Sequence, residues 1–230
     1  MARQTRAIQT RESILLAAAA VFDERGYGSA TLSEILARAG VTKGALYFHF
    51  ASKEELAHGV MEAQLDFEPL PPQVTKLQEL VDQGMMMAHR LRHEPLVRAS
   101  VGLAMAQWGG GLDRVLPFRS WIDRLATLLV EAQKQGELLP YVDPEEAAQM
   151  LAGAFSGIQE LSQVLCERKD LEHRISRLLH YVLPSIALPP VLAMLDISED
   201  RAQRVLTSMQ AAAAAERQEN KGEEADKDQC

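Results

Sequence analysis

A short segment in the first quarter of the chain places a hydroxyl, a cation and a glycine where a helix is predicted to begin. Thr42 can cap a helix that runs from Lys43 to Phe48, with Gly44 and Ala45 in its first turn. The free N–H groups and the dipole at a helix N-terminus favour phosphate, and Lys43 adds positive charge. The two small residues let such a helix approach a DNA duplex closely. The segment therefore predicts contact with a nucleic acid.

Aromatic residues are concentrated in and just after this helix, although they make up only 5% of the chain. The side chains expected to reach DNA are Tyr47, His49 and Lys53. Those expected to pack against the neighbouring helices are Leu46, Phe48 and Phe50. The alternative is that all the aromatic residues form the core of a small domain. A lysine followed by glycine at the helix start is poor core material, which favours DNA contact.

Two further short helices are predicted before this one. Thr10 is expected to cap the first, whose buried stripe is Ile14, Ala18, Val21 and Phe22, and Gly26 to end it. A capping box at Thr31 and Glu34 opens the second, which stops near Gly40. The second and third helices have the spacing of a helix-turn-helix, whose second helix enters the major groove. The predicted DNA-binding residues are Thr31, Ser33, Thr42, Lys43, Gly44, Ala45, Tyr47, His49 and Lys53.

Apolar residues recur at three- and four-residue steps along almost the whole chain, and alternating strand patterns are missing. The predicted fold is all-α, with an N-terminal three-helix helix-turn-helix domain and a C-terminal helical bundle. The predicted domains are residues 1–53, which contain the helix-turn-helix and are expected to bind DNA, and residues 54–213, which form the C-terminal bundle. Residues 214–230 are charged and lack a large apolar side chain, so we expect a disordered tail.

The charge of the 230-residue chain, −8 in total, argues on its face against a protein that holds DNA by bulk positive charge. Residues 1–50, however, hold six basic and four acidic residues, so the remainder carries −10. The net charge of +2 on residues 1–50 favours sequence-directed contacts over indiscriminate attraction to phosphate.

Only two cysteines occur, and the longest apolar run, Ile14–Phe22, is too short to cross a membrane. We therefore expect a cytoplasmic protein without a membrane partner.

Catalytic and metal-binding patterns are weak or missing. The sequence contains neither Gly-x-Ser-x-Gly nor His-Glu-x-x-His, so we expect no enzyme activity and no cofactor. His89 and His93 have a spacing that can bind zinc on a helix. A third ligand is not evident, and nearby arginines repel a cation. No metal site is predicted.

The segment from Val41 to Phe50, VTKGALYFHF, followed by Ser52-Lys-Glu-Glu-Leu56, resembles the DNA-binding domain of the tetracycline-repressor family. Matches elsewhere resemble the γ-butyrolactone receptors of filamentous soil bacteria; they include the segments at 117–123, 135–140, 157–159, 170–174 and 183–187. The resemblance implies a homodimeric repressor that binds a palindromic operator and is released by a small lactone or butenolide. It further implies control of secondary-metabolite genes, such as those for antibiotics. True receptors of this family tend to be acidic.

The resemblance also implies that residues 54–213, the C-terminal bundle, serve ligand binding and dimerisation and contain a ligand cavity. Trp121 matches a tryptophan that lines it, and an indole offers a large apolar face and one N–H donor. Gln64 is similar to a position that can hydrogen-bond the ligand, and Ala154, Phe155 and Ile158 are expected to form another wall. The alternatives are a plain core tryptophan and a solvated surface glutamine.

Two long predicted helices, 145–168 and 171–183, are suited to a dimer interface. The candidate contacts are Leu161, Val164, Leu165, Leu178 and Tyr181. Two rivals stay open for the function. One is a pseudo-receptor with the same fold that responds to another small molecule, such as an antibiotic, or to none. The other is a helical enzyme or scaffold with an incidental helix-turn-helix.

Overall fold

The computed structural model describes residues 2–63, 69–105 and 115–227, with side chains for residues 5–63, 69–105 and 115–214. These ranges are helical and contain no β-strand, which confirms the predicted all-α class. The helices are α1 (Ala2–Ser29), α2 (Leu32–Ala39), α3 (Lys43–His49), α4 (Lys53–Ala63), α5 (Lys76–His93), α6 (Pro95–Met105), α7 (Val115–Lys134), α8 (Pro144–Cys166), α9 (Leu171–Val182), α10 (Pro189–Leu192) and α11 (Arg201–Lys227). None of the described helices is long and apolar enough to cross a membrane.

The first of two compact units comprises residues 1–68 and 90–124. The predicted stripe of α1 is buried, and the side chains that pack with it include Ile35, Leu46, Phe50, Leu56 and Val60. α6 adds Ala99 and Leu103 to the same core. The helix-turn-helix region thus shares its apolar core with a helix from later in the chain.

Contacts between neighbouring residues determine where the helices of the helix-turn-helix region begin. Thr31 accepts from the backbone N–H of Glu34 at 3.2 Å, and the Glu34 carboxylate accepts from the Thr31 N–H at 3.0 Å. This is the predicted capping box. The prediction that Thr10 caps α1 is wrong, because α1 begins at Ala2 and the Thr10 hydroxyl donates to the Arg6 carbonyl at 2.8 Å. No glycine or proline precedes Thr10 to stop the helix.

The second unit comprises residues 69–89 and 125–230. The Asp143 carboxylate caps α8 by accepting from the N–H groups of Glu145 and Glu146 at 2.8 and 3.0 Å. The start of α5 is capped from a distance: both Glu137 carboxylate oxygens accept backbone N–H groups, from Lys76 at 2.9 Å and Leu77 at 2.8 Å. An isolated antiparallel bridge between Leu138 and Ala187 holds the capping segment in place.

Two predicted boundaries differ from the structure. The compact units do not divide at residue 53, because α4 and α6 both pack on α1. The tail predicted to be disordered from residue 214 is helical as far as Lys227. Five consecutive alanines at 211–215 favour this continuation, since alanine has the highest helix propensity.

Candidate nucleic-acid interface

The short helix α3 has one exposed and one covered side. Leu46 is fully buried beneath it, whereas the exposed side carries Lys43, Gly44, Tyr47 and Phe48. At about 100° per residue, these four positions span somewhat less than half of the helix circumference. Lys43 Nζ lies 5.8 Å from the centre of the Tyr47 ring. The exposed side therefore combines a cation, two aromatic rings and a bare stretch of backbone.

Thr42 and Thr31 serve as helix caps within the interface. The Thr42 hydroxyl accepts the N–H of Ala45 at 3.2 Å, which fixes the first turn of α3. The Thr31 hydroxyl donates to the Glu34 carboxylate at 2.8 Å. Both threonines are exposed, as is Ser33. Their positions at or near the starts of α2 and α3 suit contacts to phosphate oxygens.

The prediction that Phe48 packs in the core is wrong. Its side chain is 80% exposed, whereas Phe50, two residues later, is only 2% exposed and buried with Leu46 as predicted. Phe48 lies one turn after Gly44, on the exposed side of α3, and Phe50 follows the end of the helix. Helical spacing from Lys43 and Gly44 was the signal that could have placed Phe48 on the outside.

His49 and Lys53 are half-buried at the edge of the interface. The His49 ring meets Phe48 edge to face, with 5.0 Å between ring centres. Lys53 Nζ lies 4.5 Å from the centre of the Tyr27 ring. Burial lowers the pKa of Lys53, and the opposite charge of Glu34 acts against this. Lys53 thus packs on Tyr27 of α1 and also presents a positive charge at the start of α4.

Helix α3 packs closely against α4 and, through the shared core, is connected to α6. A Cβ atom at Gly59 would lie 3.0 Å from both Leu15 Cδ2 and Phe50 Cε1. The backbone of α4 therefore lies so close to α1 and the end of α3 that a side chain at this position would be crowded. Arg98 of α6 pairs with Asp23 of α1 at 2.8 Å. α1, α3, α4 and α6 are therefore positioned to move together.

The predicted ligand residues lie in several places. Gln64 is outside the described residues. Trp121 is half-buried on α7, in the first unit. On α8, in the second unit, Phe155 is buried and Ala154 and Ile158 are half-buried. The shared cavity stays a prediction.

The predicted dimer residues lie on α8 and α9, which pack against each other. Leu161, Val164, Leu165 and Tyr181 are exposed, and Leu178 is half-buried. Large apolar side chains grouped on one surface are typical of interaction sites. Their role as the dimer interface stays a prediction.

His89, one of the two histidines considered as metal ligands, contacts an acidic residue that the sequence did not point to. Its Nδ1 lies 3.4 Å from the Glu172 carboxylate, which joins α5 to α9. This is an ion pair when His89 is protonated. The prediction of no metal site remains a prediction.

Residues 14–60 match the model of the family described as "Bacterial regulatory proteins, tetR family". The A-factor receptor protein of Streptomyces griseus is 42% identical over 219 residues, covering 95% of this chain and 77% of that protein. Full-length native TylP, a TetR regulator from Streptomyces fradiae, is 46% identical with a TM-score of 0.79, covering 90% of this chain and 92% of that chain. A γ-butyrolactone receptor described as ArpA-like is 31% identical with a TM-score of 0.65, covering 89% and 99%.

These similarities extend far beyond the helix-turn-helix segment, over nine-tenths of the chain. They agree with the exposed, capped recognition helix and with the all-helical fold. The chain belongs to the tetR family of bacterial regulatory proteins, which are DNA-binding regulators of transcription and not enzymes.

Proposed function

We propose that this protein is a ligand-responsive transcriptional repressor that binds a palindromic operator as a homodimer in the cytoplasm. A γ-butyrolactone or butenolide signal releases it, and the genes it controls serve secondary metabolism. The observation that carries the DNA-binding part is the exposed side of α3, with Lys43, Gly44 and Tyr47 side by side. The ligand class rests on the similarity to the A-factor receptor and to the γ-butyrolactone receptor.

Contacts to DNA follow from the chemistry of this surface. Lys43 pairs with a phosphate or a guanine edge, and Gly44 lets the backbone come close to the duplex. Tyr47 and the hydroxyls of Thr31, Ser33 and Thr42 supply hydrogen bonds. Ala45, His49 and Lys53 complete the surface. A dimer with twofold symmetry presents two such helices to a palindrome.

Release requires a change in the distance between the two recognition helices. They must lie about 34–36 Å apart to enter successive major grooves on one face of the duplex. The close approach of α4 at Gly59 means that a tilt of α4 carries α1 and α3 with it. A nearly complete switch needs about 5 kcal/mol of differential ligand affinity between the two arrangements. Trp121, Gln64, Ala154, Phe155 and Ile158 are the proposed ligand contacts.

The DNA-binding part is tested with the purified full-length protein and duplexes selected from promoter fragments. We expect a salt-dependent mobility shift, weakened by Lys43→Ala, with the slope of log K against log salt reduced by about two, which is about one for each Lys43 of the dimer. Lys134→Ala is the matched control, because Lys134 is exposed on α7 and paired with Glu131. A failure to shift any promoter fragment would exclude a repressor.

The ligand part is tested by titrating the protein–operator complex with synthetic γ-butyrolactones and butenolides. Trp121→Ala should keep operator binding and lose release. Tyr141→Ala is the control, because Tyr141 is an exposed aromatic outside the proposed cavity. Normal release from the Trp121 variant would mean that the cavity lies elsewhere. Release only by an unrelated compound would identify a pseudo-receptor.

A further inference from the structure

Phe48 is the most exposed aromatic side chain in the part of the chain whose side chains the structure describes, at 80%. Leaving a phenylalanine in water forgoes the stabilisation that burial of its apolar surface provides. The core of the same unit accepts Phe22 and Phe50 fully. The outward position of Phe48 therefore contributes little to the stability of the first unit.

The surroundings of Phe48 hold its ring on the surface that faces DNA in the proposed function. Gly44, one turn earlier, has no side chain to cover the ring, and a Cβ there would meet nothing closer than Thr42 Oγ1 at 4.0 Å. His49 meets the ring edge to face, with an angle of 85° between the ring planes. The ring is thus supported by His49 on one side and open on the side of Gly44.

A phenyl ring has no donor or acceptor, which limits what it can read. The major groove presents hydrogen-bonding groups on every base pair and one apolar group, the C5-methyl of thymine. Lys43 and Tyr47 can bond to polar edges or phosphates, whereas Phe48 can only bury apolar surface. We propose that Phe48 is a specificity-determining residue that reads the methyl group of one thymine in each operator half-site. This inference rests on the proposed function.

The test replaces each thymine of the operator by deoxyuridine, which lacks only the methyl group, at symmetric positions of both half-sites. Binding is measured by fluorescence anisotropy with the full-length protein. We expect one position at which the wild-type protein loses about tenfold in affinity, as two lost methyl contacts imply. Phe48→Ala should bind the thymine operator more weakly and show no loss at that position.

Two further variants support the interpretation. Leu16→Ala removes an exposed apolar side chain from α1 and should keep both the affinity and the discrimination. Phe48→Leu keeps an apolar contact and should retain part of the discrimination. Since Phe48 is exposed, its replacement by alanine should leave the thermal unfolding curve nearly unchanged.

The inference is overturned if the wild-type protein binds the operator but discriminates at no thymine. It is also overturned if Phe48→Ala discriminates as strongly as the wild type, because another residue would then read that methyl group. If the wild-type protein binds no duplex at all, the proposed function fails as well. The outcomes thus separate failure of this inference from failure of the function on which it rests.

Discussion

Arg98 of α6 donates from Nε to the Asp23 carboxylate of α1 at 2.8 Å. Arg98 also donates to the Arg92 carbonyl at 3.0 Å, so its side chain joins the last turn of α5 to α1. Apolar packing of Leu103 and Ala99 supports the same contact. A displacement of α6 is therefore transmitted to α1 through a charged pair as well as through the core.

Asp23→Asn should weaken this transmission. Both side chains are about one-quarter exposed, 25% for Arg98 and 24% for Asp23, so we expect a loss in unfolding free energy of at most about 1 kcal/mol. Operator affinity should change little, while the ligand concentration for half-release rises. Glu24→Gln is the control, because Glu24 pairs with Arg38 and so joins α1 to α2 rather than to α6. Equal effects of the two variants on release would contradict a role of the pair in coupling.

Arg201→Met should destabilise the second unit strongly. Arg201 forms two hydrogen bonds to the Asp82 carboxylate, at 2.7 and 2.8 Å, and Asp82 is only 1% exposed. Removing the arginine leaves a buried charge without its main partner, which costs about 3–5 kcal/mol. Urea unfolding at fixed protein concentration measures the loss.

Two companion variants check that explanation. Replacing both partners, Asp82→Leu with Arg201→Met, should cost much less than the single change, because no unpaired charge remains. Arg204→Met should also cost little, because Arg204 is more exposed and pairs with Asp196 and Asp200 at the surface. A double variant as unstable as the single one would argue for lost packing instead.

The stability of the protein should fall in acid through Asp170. Hydrogen bonds from Cys166 and Ser162, together with Arg174, lower the pKa of Asp170 to about 2, although partial burial acts in the opposite direction. Since the unfolded value is about 3.9, the carboxylate contributes stability that is fully present above about pH 4. That contribution is lost as the pH falls through about 2.

Ser162→Ala tests this dependence, because the Ser162 hydroxyl donates to Asp170 Oδ1 at 2.7 Å. Its destabilisation relative to wild type should be largest above about pH 4 and shrink towards about pH 2. Ser156→Ala is the control on the same helix, since its hydroxyl donates to the Ala152 carbonyl. Urea unfolding at several pH values measures both. A pH-independent difference for Ser162→Ala would show that the hydrogen bond does not act on the charge.

Val164→Glu should dissociate the proposed dimer. Val164 and Leu165 are 74% and 62% exposed on α8, and a buried carboxylate without a partner opposes association. We expect a folded monomer by sedimentation and helical content, with greatly weakened operator binding. Met194→Glu changes an exposed apolar residue outside this face and should stay dimeric. A dimeric Val164→Glu protein would place the interface elsewhere.

The sequence by itself determined the helical class, the caps of α2 and α3, and the recognition helix. Thr31 caps α2 through Glu34, three residues later, and Thr42 caps α3 through Ala45. Such contacts involve neighbours along the chain, so the residue types and their spacing suffice to predict them. Family membership could be recognised for the same reason, because the motif from Val41 to Leu56 is continuous.

Only the tertiary structure decided which side chains around these local elements are covered. Phe48 and Phe50 have the same side chain, and the docking of α1 and α4 buries only Phe50. Glu137 caps α5 from 61 residues away, and Arg201 neutralises Asp82 from 119 residues away. Contacts across such separations depend on how whole helices pack, which no local spacing in the sequence specifies.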